Sequence, residues 1–216
     1  MSILTKKQIL EKINAGEILF EPNLDEFQIQ AHAIDLRLGY TFLLPKRWQL
    51  TEKGRVALNI DHLSEDRPDY FDIIELEKSQ TFDLLPGEYV LASTLETVGI
   101  PDDLMAILYP RSSTNRKGLS VDLTGIVDSG YKGQLAIPIR NNTESQVIKL
   151  YPGERFCQVV FEKLDEKAEI KESRYHQKDI IEGFIKQNFK NAEKDRTESD
   201  LVREGKIPEL KRDHKA

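Results

Sequence analysis

From Ile18 to Phe161 the chain is built of short runs rich in Val, Ile, Leu, Tyr and Phe, each cut off within a few residues by Pro, Gly, Asn or Asp. Such runs are too short for helices, and repeated at turn-delimited spacing they predict an all-β sandwich or barrel. Glu88 to Ala92, Met105 to Leu108, Leu135 to Ile139, Val147 to Leu150 and Phe156 to Phe161 are the clearest strand candidates. Pro86-Gly87 and Pro152-Gly153 each follow an apolar pair and precede a strand-like run, so they read as matching turns of two related hairpins. Ahead of this region Thr5 and Gln8 form a capping box, Ile9, Leu10 and Ile13 recur at helical spacing, and Gly16 can stop the helix. A short helix is expected over about residues 5 to 15.

Composition divides the chain once. Residues 163 to 216 hold 14 Lys+Arg and 13 Asp+Glu, a density of charge that leaves too little apolar surface for a second core. The expected organisation is a β domain over 1–162 and a charged C-terminal extension over 163–216, partly helical or disordered. Within the extension Ile181, Phe184, Ile185 and Phe189 fall on one helical face, able to dock on the body or on a neighbouring subunit. The body keeps 17 basic against 24 acidic residues, which speaks against nucleic acid as a partner and requires any anion site to be made locally. Cys157 is the single cysteine, so an internal disulfide and a multi-cysteine zinc site are excluded. No apolar run approaches the roughly 18 residues of a membrane span, and the start lacks the marks of a signal peptide; a cytoplasmic protein with no membrane partner is expected.

One local anion site is visible. Pro110 to Gly118 (Pro-Arg-Ser-Ser-Thr-Asn-Arg-Lys-Gly) places three cations and three hydroxyls beside a strand candidate, the groups that hold phosphate or carboxylate oxygens. From composition alone the same segment also reads as a solvated turn. Downstream, Asp128 sits at a turn between Gly125 and Gly130, suited to orienting a water as general base, with Tyr131 offering a flat apolar face. Asp-Ser-Gly is equally an ordinary turn. Arg111 and Asp128 are 17 residues apart, which one hairpin excursion can bring to the same end of a sheet.

Taken in order, His32 to Gly39 (His-Ala-Ile-Asp-Leu-Arg-Leu-Gly), the Pro-Arg-Ser-Ser loop, Gly125 to Gln134 and Pro152 to Gln158 resemble the motifs of the dUTPase and dCTP deaminase superfamily. The N-terminal helix and Asp35 to Gly39 are closer to the deaminase branch. The resemblance implies a distorted jelly-roll-like β fold assembled as a homotrimer, with sites for a pyrimidine deoxynucleoside triphosphate, dUTP or dCTP, between subunits. It implies that Arg111, Ser112, Ser113 and Gln158 hold the triphosphate, and that Gly125, Ile126 and the rest of that hairpin read the pyrimidine. Tyr131 would lie under the deoxyribose. Arg116 would serve phosphate binding or subunit contact, and Asp35 would hold Mg2+ through water, with Arg37 an ion-pair partner. Asp128 would orient the hydrolytic water.

The superfamily runs two reactions. Where the deaminase branch places a proton-shuttling glutamate, ten positions after the aspartate matching Asp128, this chain has Pro138, and proline moves no proton. The His-x-Glu and Cys-x-x-Cys elements of zinc deaminases are also missing. The expected function is therefore dUTP diphosphatase, hydrolysing dUTP to dUMP and pyrophosphate with Mg2+. The alternatives are a dCTP deaminase with its acid relocated, to Asp122 or Glu144 for example, and a non-catalytic deoxynucleotide-binding regulator. A glycine-rich, phenylalanine-bearing closing segment of the dUTPase kind is not found in the extension; Arg174-Tyr175-His176-Gln177 loosely matches the tail of the deaminase branch.

Overall fold

A computed structural model of the chain describes residues 2–59, 70–121, 125–170, 198 and 200–213. The chain opens with β1 (Ser2–Ile3) and α1 (Lys6–Asn14). The capping box forms as expected: the Thr5 amide donates to Gln8 Oε1 at 2.9 Å and the Gln8 amide to Thr5 Oγ1 at 3.5 Å. Then come β2 (Leu19–Glu21), a 3-10 turn at Glu26–Gln28, the long β3 (Ile34–Pro45), and β4 (Trp48–Thr51) with β5 (Gly54–Ala57) as a separate hairpin. They are followed by β6 (Phe71–Glu75), β7 (Phe82–Leu84), β8 (Tyr89–Gly99) and β9 (Leu104–Pro110). A one-turn helix α2 (Ser112–Asn115) leads to β10 (Leu119–Val121), β11 (Ile126–Val127), β12 (Lys132–Asn141), β13 (Ile148–Leu150) and β14 (Arg155–Lys163). All five strand candidates lie in or overlap these strands.

The protein is mostly β, with a curled ten-stranded sheet whose main path runs β10-β12-β8-β3-β14-β9-β11, while β1, β2 and β6 pair with β14, β8 and β3. Curling is produced at β3. Its first half, Ile34–Arg37, pairs with β14, whereas Leu38–Leu43 pairs with β8, with a register shift between Leu38 and Phe42. Gly39 lies in that shift, where a Cβ would sit 2.2 Å from Ser93 Oγ and 2.7 Å from the Thr94 carbonyl oxygen. Only glycine lets the two strands approach so closely at the bend. The enclosed core contains Leu36, Leu38, Phe42, Leu84, Ile139 and Phe161. In it Phe42 stacks on Phe82 at 4.6 Å and Phe20 meets Phe161 edge-on at 6.3 Å.

The two Pro-Gly turns are equivalent in detail. In each the fourth residue's amide reaches the first residue's carbonyl at 3.0 Å, Glu88 to Leu85 and Glu154 to Tyr151. Gly87 and Gly153 take φ of +72° and +91°, as a Pro-Gly turn of type II requires. The reading as two hairpins is corrected, because β7 and β13 pair with each other, Leu84 opposite Ile148, rather than with the strands that follow them. In the extension, α3 (Ile207–Asp213) buries none of its residues. The apolar face at Ile181, Phe184, Ile185 and Phe189 and the Arg174 to Gln177 segment lie outside the described residues. Among the described residues no helix is long and apolar enough to cross a membrane.

Candidate functional site

β9 delivers its end to the anion site. Pro110, the last residue of β9, stands opposite Cys157 of β14, and there the chain turns into α2. The Arg111 amide donates to the Phe156 carbonyl at 3.2 Å, and Thr114, the buried residue of α2, points its hydroxyl at the same carbonyl at 3.3 Å. Two bonds from one strand therefore fix the helix. Ser112, Ser113 and Arg116 are left exposed, and among the described residues their side chains engage no protein partner.

Beneath α2 lies a buried carboxylate. Asp35, on β3, is 1% exposed at its side chain and faces Gln158 across the ladder with β14. Gln158 Nε2 donates to Asp35 Oδ1 at 2.9 Å. Around Oδ2 gather Arg111 Nε at 3.1 Å, Arg155 Nη1 at 3.2 Å and Gln30 Nε2 at 3.3 Å. A buried carboxylate persists only when paired and hydrogen-bonded, and here both oxygens are taken by protein donors. That is a poor fit to a metal ligand, even one acting through water, and among the described residues no group of three His, Cys, Asp or Glu is placed to hold an ion. The expectation of Mg2+ at Asp35 therefore meets two oxygens already engaged by protein donors, three of these donors on Oδ2, and no step is assigned to a protein-bound metal.

Arg155 is a member of this cluster that sequence reasoning missed. A register shift in β14 between Arg155 and Cys157 accounts for it. Under strict alternation residues 155 and 158 lie on opposite faces, but the shift brings both side chains to Asp35. Arg37 has the structural place expected of it: Nε and Nη2 reach Asp25 Oδ2 at 3.0 and 2.7 Å. Partial burial pushes the Asp25 carboxyl up, but the bonds from Arg37 and the Phe27 amide outweigh it, leaving the group below its ordinary value.

Behind the cluster Glu96 is 1% exposed and accepts from Gln28 Nε2 at 2.7 Å and the Arg37 amide at 3.0 Å. Burial raises its carboxyl above the ordinary value in spite of those bonds. A folded-state value above the unfolded one means the native protein holds this proton more tightly. Its stabilising contribution is therefore full below the ordinary glutamate range and is lost as pH rises through the folded value. In thermal melts between about pH 4 and pH 8, Glu96→Gln is expected to lose less stability than the parent as pH rises. Parallel profiles would clear Glu96 of that role.

The second half of the expected site is the hairpin after Gly125. β11 pairs with β9, Val127 opposite Ala106, so Asp128 lies alongside Met105. Its carboxylate is exposed and, among the described residues, without a partner. Gly125 has φ +90° with open space where a Cβ would stand, and Ile126 is 59% exposed. Tyr131 packs partly against the core, its hydroxyl donates to the Gln134 carbonyl at 2.7 Å, and burial pushes its phenol up to about 12.

One geometric expectation is overturned. Arg111 follows the last residue of β9, whereas Asp128 lies beside its second, Met105. Six residues of strand at about 3.3 Å each separate them by about 20 Å. Within one chain the phosphate groups and Asp128 occupy opposite ends of β9, with Gly125 and Ile126 between them beside Leu108 and Ile107.

Pro138 lies on β12 opposite Leu91. Leu135, Ile137 and Ile139 point into the core, so Ala136, Pro138 and Arg140 share the outer face, where Ala136 packs with Leu43, Leu91, Phe71 and Tyr89. The ladder with β10 covers only Ile139–Asn141, so a residue without an amide proton is tolerated next to its end. Glu144 is exposed, three residues past the end of β12, and Asp122 lies outside the described residues.

Residues 3–164 match a family described as dCTP deaminase-like. A protein named "dCTP deaminase, dUMP-forming" from Methanosphaera stadtmanae is 33% identical over 207 residues, covering 95% of this chain and 100% of its own. Its namesake from Dictyoglomus thermophilum is 39% identical over 169 residues, covering 77% and 83%. Among solved structures, 2'-deoxycytidine 5'-triphosphate deaminase from Agrobacterium tumefaciens is similar with a TM-score of 0.55 and 26% identity over 74% of this chain; the match spans about half, 48%, of that longer chain. These findings correct the expectation of a dUTP diphosphatase. Relatives that match over 95% and 77% of the chain carry the deaminase name, against which Pro138 is a single position.

Proposed function

This chain belongs to the dCTP deaminase-like family, within the dUTPase and dCTP deaminase superfamily, and on that premise we propose that it takes dCTP and converts it to dUMP. The observation that carries the proposal is the match to a dUMP-forming dCTP deaminase along 95% of this chain and all of the relative. The balanced reaction consumes two waters: one replaces the 4-amino group, which leaves as ammonia, and the other cleaves the triphosphate to release pyrophosphate.

In this reading Arg111, Ser112, Ser113 and Gln158 take the phosphates, with Arg116 beside them. Gly125 and Ile126 meet the base, Tyr131 supports the deoxyribose, and Asp128 orients the water that attacks phosphorus. The separation of about 20 Å along β9 supports a site completed by a second copy of the chain, as in a homotrimer. Magnesium would ride on the triphosphate, which supplies its own oxygens. The extension beyond the family match is assigned as an appendage.

Deamination needs a carboxylate near the ring to carry protons from water to the leaving ammonia, and Pro138 cannot serve. Asp122 is put forward for that role because Val121, the residue before it in sequence, pairs with Ile139, adjacent to Pro138. A second reading, favoured by Pro138 itself, is a protein that holds the nucleotide without deaminating it.

Incubating the full chain with dCTP or dUTP and Mg2+, while resolving ammonia, dUTP, dUMP and pyrophosphate, separates the readings. Ammonia and dUMP from dCTP, with ammonia lost in Asp122→Asn and kept in Glu144→Gln, is the expected result. Binding of dCTP with no ammonia would replace it with the second reading.

A further inference from the structure

We infer that Arg155 is a second phosphate-binding arginine, and that Asp35 is the positioning residue that holds Arg155 and Arg111 as a pair. The inference rests on the reading of this cluster as the phosphate end of the site, and it adds a residue and a role to that reading. Each arginine is secured from its inner side. Arg111 Nη1 donates to the Arg155 carbonyl at 3.0 Å while its Nε lies 3.1 Å from Asp35 Oδ2. Arg155 Nη1 donates to the same Oδ2 at 3.2 Å and to the Phe27 carbonyl. Arg111 Nη2 and Arg155 Nε and Nη2 donate no hydrogen bond to any described residue, and both side chains keep about a quarter of their surface open, 24% and 28%.

One buried carboxylate thus fixes two guanidinium groups and leaves their outer donors unspent. A guanidinium presents its donors in a rigid planar fork, so fixing one edge aims the other. Two such forks suit a ligand with several anionic oxygens along a chain, an oligophosphate, better than a single carboxylate. The arrangement also explains a buried acid that touches no ligand: with its oxygens engaged by Gln158, Gln30 and the arginines, Asp35 acts on phosphate through the side chains it holds, the two arginines above all.

The test is calorimetric titration of the full chain with inorganic tripolyphosphate, which has neither base nor sugar. Arg155→Gln is expected to weaken binding at least tenfold, and Arg155→Lys to recover part of the loss by restoring charge without the fork. Asp35→Asn, which keeps the shape of the side chain, is expected to weaken binding several-fold. Its loss and that of Arg155→Gln should multiply less than fully in the double variant, because part of the Asp35 effect runs through Arg155. A merely structural role for Asp35 would show as a loss of folding with fully multiplying effects. If Asp35→Asn does not fold, Asp35→Glu enters the same cycle. Binding within twofold of the parent in Arg155→Gln, fully multiplying losses, or tripolyphosphate that does not bind the parent would each overturn the inference. Failure of the dCTP reading is a different result: it appears as absent ammonia while the tripolyphosphate pattern stands.

Discussion

Arg111→Ala is expected to weaken dCTP binding by about ten- to a hundredfold while leaving the fold in place. A hydrogen bond to a charged group contributes about 1.5–3 kcal/mol, and each 1.4 kcal/mol is about a factor of ten in affinity. The fold survives because Asp35 keeps Arg155 and Gln158 as partners after Arg111 is truncated, so no buried charge is orphaned. The backbone amide that anchors α2 to the Phe156 carbonyl is also retained. Titration with dCTP beside a thermal melt checks both halves of the statement. Unchanged affinity with unchanged melting would move the phosphate site away from the Pro-Arg-Ser-Ser loop.

Asp128→Asn is expected to lower pyrophosphate release from dCTP at least a hundredfold with nucleotide affinity kept, the scale of removing a general base. The amide is isosteric but does not accept the proton of the attacking water. Because the carboxylate is exposed and engages no described residue, the substitution disturbs no packing or ion pair, and a lost rate reads as lost chemistry. Measured single-turnover rates and binding constants decide it. Parent-like release of pyrophosphate would remove Asp128 from the reaction.

Local pattern made much of the fold legible. Turn punctuation marked the strands around residues 88 to 161, the capping box marked α1, and the two Pro-Gly dipeptides marked turns with matching hydrogen bonds. Pairing was not legible, because β7 and β13 are joined by contacts more than 60 residues apart in sequence and no local signal names the partner. The direction of β11 against β9 is the same kind of information. Seventeen residues allow Asp128 to return to either end, and it returns to the end away from Arg111.

At the site, the motifs brought Asp35, Arg111 and Gln158 together as their order suggested, but the character of the cluster came from burial. An aspartate beside a phosphate loop reads as a metal ligand until its oxygens are seen to be filled. Arg155 stayed hidden because alternation separates it from Gln158, and only the irregularity of β14 reunites them. Pro138 was legible as a lost proton carrier, but the dUTP diphosphatase expectation drawn from it is not the name the relatives carry. A single side chain states what one position cannot do, whereas agreement along the whole chain constrains what the protein is.

The central claim, a dCTP-converting site shared by two copies of the chain, is tested most directly by mixing two impaired variants. Arg111→Ala and Asp128→Asn subunits, each expected to release little pyrophosphate alone, are unfolded together, refolded as a mixture and assayed with dCTP. In a ring of three with Arg111 from one copy and Asp128 from the next, every mixed ring holds one intact site, so random assembly restores roughly a quarter of the parent rate. A mixture no more active than its two components would contradict the account, because a site lying within one chain gains nothing from a neighbour.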